Sequence, residues 1–187
     1  MRTLRTMALM STPWDALRVL PPVARPPGMR AAVLVPLFED GGDLRLILTR
    51  RHDGMATHPG DVVFPGGMIE PGDEGPEDAA RREAWEEIGL PPEGVEVLGG
   101  LEPTTARSTH VLIVPVVARV KRPERYVLAP GEVVTVLEPR IADLLDESSW
   151  RHEEWAAFTV WFRPFPEGML WGATARMVRA LLGYFRA

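Results

Sequence analysis

Apolar runs broken by turn residues at short intervals mark most of the chain. Residues 31–38 (AAVLVPLF) are almost continuously apolar, a pattern typical of a buried strand. After the turn EDGGD, residues 43–50 (DLRLILTR) place leucines at alternate positions, so the two segments predict a β-hairpin. The same reasoning predicts further strands at residues 61–64, 95–101, 111–120, 132–137 and 157–165.

Helical spacing occurs at three places between these strands. After a Ser/Thr cap, Trp14, Leu17 and Leu20 predict a short amphipathic helix within an N-terminal extension of about residues 1–28. A second helix follows the acidic loop after Gly67 and stops at Gly89. The third carries a core-facing stripe of Ala175, Val178, Leu181, Leu182 and Phe185. Strands interleaved with helices predict one mixed α/β domain spanning residues 1–187.

Charge and cysteine content narrow the classes of function. The chain has 187 residues and a formal net charge of −5, so it lacks the basic excess of a general nucleic-acid binder. It contains no cysteine, which excludes thiol nucleophiles and zinc–thiolate sites and makes a cytoplasmic location the default expectation. No apolar run approaches the roughly 20 residues of a membrane span, so no membrane partner is expected.

The helix before Gly89 carries an unusual stripe of carboxylates. At about 100° per residue, Glu83, Glu86 and Glu87 fall on one side of it. Glu83 and Glu87 lie four residues apart, and no cation lies three or four residues from either of them. A hard divalent cation such as Mg²⁺ or Mn²⁺ would neutralise this stripe. The alternative is an acidic face directed at solvent or at a distant arginine.

A longer pattern around this helix resembles the Nudix box. Gly67 is followed by an acid at Asp73 or Glu74 and then by residues 82–90 (REAWEEIGL), which match the second half of the box throughout. The spacing from Gly67 to Arg82 is one residue longer than in the general box. Either acid therefore fits the loop position, and Glu74 enters the expected catalytic set.

The resemblance implies an α/β/α sandwich around a mixed sheet and a pyrophosphohydrolase acting on nucleoside diphosphate derivatives. It assigns metal binding to Glu83, Glu86 and Glu87, with the carbonyl of Gly67 as a further ligand. Arg82 would orient the glutamates through the loop acid. The proton acceptor for the attacking water stays open between Glu86 and Glu132.

The segment before the box resembles the coenzyme A pyrophosphatase branch. Leu48, Thr49, Arg51, Gly60 and residues 64–67 match its signature, whereas His52 and Ala56 depart from it. This resemblance implies cleavage of coenzyme A, or its thioesters, to 3′,5′-ADP and 4′-phosphopantetheine. The cations expected to bind the substrate phosphates are Arg50, Arg51 and Arg107.

Two other functions stay open at this stage. One is hydrolysis of another nucleotide, such as ADP-ribose, a dinucleoside polyphosphate or a damaged nucleotide. The other is a Nudix-fold binding module without catalysis, against which the complete glutamate set argues. The family resemblance and the six tryptophans are compatible with a homodimer. Among the histidines, His58 is the one worth substituting, because it lies close to the glycine turn.

Overall fold

The computed structural model describes residues 12–106, 111–156 and 158–186, which form two β-sheets with three α-helices packed around them. The strands are β1 (Met29–Asp40), β2 (Asp43–Leu46), β3 (Leu48–Arg51), β4 (Asp61–Val63), β5 (Gly66–Met68), β6 (Val95–Gly100), β7 (Thr104–Ala106), β8 (Val111–Val120), β9 (Val133–Leu137), β10 (Arg151–Trp155), β11 (Phe158–Phe165) and β12 (Gly168–Trp171). The helices are α1 (Pro76–Ile88), α2 (Ile141–Leu145) and α3 (Gly172–Gly183).

The first sheet has the order β2-β1-β8-β6, with β5 also paired to β1 and β7 to β8. β1 runs parallel to β8, and the other pairs are antiparallel, so the sheet is mixed as expected. Side chains of β1 pack alternately into two hydrophobic clusters, one on each face of the sheet. Leu34 packs in the cluster beneath α1, whereas Val35 and Leu37 pack in the cluster between the two sheets. The near-continuous apolar run therefore reflects a strand buried on both faces.

The second sheet has the order β10-β11-β12-β4-β3-β9, with β12 and β4 parallel. The segment 43–50, predicted as one strand of a hairpin, is divided at Ile47 into two strands, β2 and β3. β2 stays in the first sheet and β3 crosses to the second. Leu46, Ile47 and Leu48 are all fully buried, since the chain passes through the core between the two sheets.

Helix α1 packs against β1 and β5 and carries the carboxylate stripe. It begins with Pro76 and ends at Gly89, whose backbone is left-handed (φ 67°) and whose N–H donates to Trp85 O at 2.9 Å. Its buried face consists largely of Ala79, Ala80 and Ala84, small side chains that let the helix lie close to the sheet. The predicted stop at Gly89 is confirmed.

Other predictions are refined. The predicted helix after Ser11 is wrong in kind: the structure has a three-residue 3-10 helix, Asp15–Leu17. The prolines that follow favour extended chain, and Pro21 O accepts a hydrogen bond from Gly100 N at 2.9 Å in β6. The prediction at 157–165, one or two strands, is confirmed as the single strand β11, with Ala157 outside the described residues. The strands β10 and β12, which pair with β11 on either side, were not predicted. No helix in the described ranges has the length and hydropathy needed to cross a bilayer.

Candidate active site

A cavity of about 770 Å³ opens where the glycine turn, the carboxylate helix and the second sheet meet. Its acidic lining residues are Asp61, Glu83, Glu87 and Glu132. Its basic lining residues are Arg51, His58 and Arg176. Charges of both signs on an otherwise largely apolar wall are typical of a site that orients a polar small molecule.

The glycine turn brings backbone directly against the helix carboxylates. A Cβ atom at Gly66 would lie 2.4 Å from Ala32 O, so only glycine fits where β5 pairs with β1. A Cβ atom at Gly67 would lie 2.4 Å from Glu83 Oε1. Gly66 therefore lets β5 lie close against β1, and Gly67 lets α1 place a carboxylate against the turn.

Glu87 is the most buried carboxylate of the site, with 6% of its surface exposed. Burial, followed by the neighbouring charge of Glu83, raises the pKa of Glu87 to about 8. Within the described ranges, its one hydrogen-bond donor is Gly66 N, at 3.3 Å from Glu87 Oε2. The positive charge of Arg51 partly offsets the rise in the pKa of Glu87. Burial also raises the pKa of Glu83. The carboxylate pair (Glu83 and Glu87) thus lies where extra positive charge would be stabilising.

The loop acid that holds Arg82 is Asp73. Arg82 Nε and Nη2 each donate to the Asp73 carboxylate at 3.1 Å. The same Nη2 atom also donates to the backbone carbonyl oxygen of Met68 at 3.0 Å. These bonds hold the pKa of Asp73 below its usual value. Glu74, the other acid that the sequence left open for this role and the one placed in the expected catalytic set, is exposed, and its N–H donates to Asp78 Oδ2 at 3.3 Å. Of the two acids, Asp73 is therefore the one that contacts Arg82 in this structure.

Arg82 also bonds to two carboxylates of its own helix. Its Nη1 atom donates to Glu83 Oε1 at 2.9 Å and to Glu86 Oε2 at 3.2 Å. The expectation that no helical cation compensates Glu83 is therefore wrong, since the flexible guanidinium reaches the adjacent residue. Glu86 is held at the helix surface, with 55% of its side chain exposed, and is not part of the cavity wall.

The predicted substrate cations separate in space. Arg51 lines the cavity, with its Nε donating to Thr57 O at 3.2 Å. Arg50 is the preceding residue of β3, so it points to the other face and pairs with Asp53 at 2.6 Å outside the cavity wall. Arg107 lies outside the described residues.

Several cavity residues escaped the sequence reasoning. Arg176 of α3 lines the cavity and donates to Thr104 Oγ1 at 2.8 Å and to Thr105 O at 2.7 Å. Asp61 contacts His58 Nδ1 at 2.9 Å, and His58 itself has a left-handed backbone (φ 53°). Arg176 is more than 80 residues from the glutamates along the chain, and no local pattern could have joined them.

Comparison with known proteins decides the family. Residues 28–165 match the model of the NUDIX domain. The chain belongs to the Nudix family. It is 39% identical over 158 residues to Nudix hydrolase 15, mitochondrial, of Arabidopsis thaliana, covering 78% of this chain and 55% of that protein. It is 35% identical over 158 residues to the Nudix hydrolase NudL of Enterobacter sp. (strain 638), and this match covers 81% of this chain and 80% of that protein. The chain spans about half the length of its Arabidopsis relatives.

Solved structures show the same Nudix fold. RenU, a Nudix hydrolase from M. smegmatis, has a TM-score of 0.54 at 19% identity, covering 84% of this chain and 86% of its own. The NUDIX domain of Shewanella oneidensis NrtR, solved with ADP ribose, has a TM-score of 0.53 at 18% identity, and the match covers 94% of this chain and 97% of that domain. At these identities the likeness concerns the fold alone, and it confirms the expected α/β class.

The donor groups of this Nudix box suit a divalent metal, which Nudix hydrolases generally need. Among the described residues, no three His, Asp or Glu side chains lie together closely enough to enclose an ion by themselves. Mg²⁺ in phosphate sites, however, is commonly held by one or two carboxylates together with substrate oxygens and water. The carboxylate pair beside Gly67, with its raised pKa values, fits such an open site.

Proposed function

We propose that the chain is a Mg²⁺- or Mn²⁺-dependent diphosphatase that hydrolyses the pyrophosphate of coenzyme A or its thioesters. The products would be 3′,5′-ADP and 4′-phosphopantetheine. The observation that carries the proposal is the carboxylate pair, with Glu87 buried and Glu83 half-buried, on the wall of a cavity of about 770 Å³ that Arg51 also lines. Membership of the Nudix family and relatives named as Nudix hydrolases support a hydrolytic activity.

The box residues have distinct roles in this proposal. Glu83, Glu87 and the Gly67 carbonyl would hold the metal, which supplies charge neutralisation at the pyrophosphate oxygens and a more acidic bound water. Glu86, which bonds to Arg82 at the helix surface, would join them by turning towards the cavity. Asp73 fixes Arg82, and Arg82 in turn holds Glu83 and Glu86 at one end of the helix. Arg82 is therefore a positioning residue, because it acts on the glutamates.

Glu132 is the proton acceptor we favour. It lines the cavity, whereas Glu86 does not, and its backbone carbonyl accepts from His52 N at 2.8 Å, which ties this loop to the end of β3. In the step, the water oxygen bonds to a phosphorus atom and the bridging P–O bond breaks. The water proton passes to the Glu132 carboxylate, and the released phosphate oxygen retains the electron pair.

The choice of coenzyme A rests on the segment before the box. Gly60 has a left-handed backbone (φ 71°) and Phe64 is buried in the core, so both matching positions have structural reasons. Arg51 is the charged residue among the matching positions, and it lines the cavity; Arg176 adds a second cation for a substrate that also carries a 3′-phosphate. Ala56, where the signature departs, is exposed and outside the cavity wall.

Substrate preference is the direct test. We expect kcat/KM with Mg²⁺ to be at least tenfold higher for coenzyme A than for ADP-ribose, by mass detection of both products. Arg51→Gln should raise KM for coenzyme A, while Arg50→Gln, the matched change on the outer face of β3, should leave it within about twofold. Equal kcat/KM values for the two substrates would overturn the coenzyme A assignment.

Loss of the metal site tests the hydrolase itself. Glu87→Gln should abolish Mg²⁺-dependent turnover while the circular dichroism spectrum and cooperative unfolding are retained. Turnover that survives this change would refute the role of Glu87 in metal binding. An inactive wild-type protein, across a panel of nucleoside diphosphate derivatives with Mg²⁺ and Mn²⁺, would refute catalysis and favour a binding module.

A further inference from the structure

Four aromatic rings form a continuous wall at the side of the cavity that is built from the second sheet. This aromatic wall consists of His58, Trp155, Phe162 and Trp171. Trp171 lies at its centre, with ring centroids 6.0 Å from His58, 6.1 Å from Phe162 and 6.3 Å from Trp155. Three of the four residues, all except Phe162, line the cavity itself.

Trp155 reaches the cavity from the end of the β10–β11 hairpin at the edge of the second sheet. It is the last residue of β10, where it pairs with Phe158 of β11. β10 is the outermost strand of its sheet and all five of its residues are exposed. The next residue, Ala156, has a left-handed backbone (φ 52°), a conformation that costs energy for a side chain other than glycine. The hairpin thus holds an aromatic ring at the cavity at a local cost.

The exposure of Trp155 distinguishes it from a packing residue. Trp150 is 7% exposed and donates its indole N–H to Leu144 O, as a core tryptophan does. Trp155 is 43% exposed, although its indole N–H is bonded to Glu153 Oε2 at 2.9 Å. Its polar atom is therefore satisfied and its orientation is constrained, while apolar ring surface stays available beside the cavity.

We propose that Trp155 and Trp171 form the subsite that stacks the adenine base of the substrate, an inference that rests on the proposed function. Flat indole faces suit a planar heteroaromatic ring, and such stacking tolerates any base because every base has a π-face. Arg51 and Arg176 line the same cavity and supply the cations that the attached phosphates need. The aliphatic pantetheine arm gains no comparable stacking from these rings.

The two product halves separate base recognition from tail recognition. Binding of 3′,5′-ADP and of 4′-phosphopantetheine, each with Mg²⁺, is measured by calorimetry or ligand-observed NMR on the full chain. Trp155→Leu should weaken 3′,5′-ADP about tenfold or more, the loss expected when one base–aromatic contact is removed. Trp155→Phe, which keeps a stacking face, should stay within about threefold of wild type. Neither variant should change the affinity for 4′-phosphopantetheine.

A distant tryptophan provides the matched control. Trp14 donates to Glu39 and lies under the guanidinium of Arg119 at 4.0 Å, outside the cavity wall. Trp14→Leu should leave both affinities unchanged. Loss of 4′-phosphopantetheine binding in Trp155→Leu, equal weakening of both halves, or unchanged 3′,5′-ADP binding would each overturn the adenine assignment.

The binding assay is independent of hydrolysis. A chain that cleaves no diphosphate but binds 3′,5′-ADP through Trp155 would refute the proposed function and support the adenine subsite. A chain that cleaves coenzyme A with the same KM in wild type and Trp155→Leu would refute the subsite alone.

Discussion

Replacing Glu87 by glutamine should make the metal-free protein more stable at neutral pH. Glu87 is 6% exposed, and burial raises its pKa from the ordinary 4.5 to about 8. Between these two values the folded state binds more protons than the unfolded state, so this group destabilises the fold progressively as pH rises. Glutamine, which is neutral at every pH, removes that cost.

The size of the effect follows from the two pKa values. Each unit of pKa difference corresponds to about 1.36 kcal/mol. Ionisation of Glu87 should therefore lower the free energy of unfolding by under about 1 kcal/mol at pH 5, about 3 kcal/mol at pH 7 and about 4 kcal/mol at pH 8. The free energy of unfolding of Glu87→Gln minus that of wild type should therefore grow by these amounts across the range. The growth with pH, rather than the offset at any one pH, is the diagnostic quantity.

Urea unfolding in EDTA at pH 5, 6, 7 and 8 measures this difference. Glu86→Gln is the matched control, because it makes the same substitution on the same helix at a side chain that is 55% exposed and therefore carries no comparable burial cost. Parallel pH curves for wild type and Glu87→Gln would refute the reasoning. Mn²⁺ should stabilise wild type more than Glu87→Gln, because a bound cation offsets the buried charge.

Two further substitutions probe the surroundings of the carboxylate pair. Asp73→Asn should lower kcat/KM tenfold or more by releasing Arg82, whereas Glu74→Gln should stay within about twofold; steady-state kinetics in which Glu74→Gln is the more damaging change would reverse the assignment. Gly67→Ala should lower kcat/KM tenfold or more with little change in melting temperature, because its Cβ would lie 2.4 Å from the Glu83 carboxylate and would displace that flexible side-chain end from the turn. Gly72→Ala, with nothing within 4 Å of its Cβ, should leave kcat/KM within about twofold, and equal losses of activity in the two variants would contradict the steric argument.

Local pattern was enough to predict most elements of the fold. The run at residues 111–120 became β8, and the glycine after Ile88 ended α1, because burial periodicity and left-handed backbone are properties of neighbouring residues. The stripe of Glu83, Glu86 and Glu87 was readable for the same reason, since helical geometry alone sets their relative angles.

Only the tertiary structure decided which of these groups work together. Asp73 and Glu74 are equivalent by spacing, and the path of the loop turned one towards Arg82 and the other to solvent. Arg176 and Trp155 join the same cavity from the far end of the chain, because β12 pairs in parallel with β4 beside the glycine turn. Local periodicity specifies which face a side chain occupies, but distances between remote segments follow from sheet pairing and packing of the whole chain.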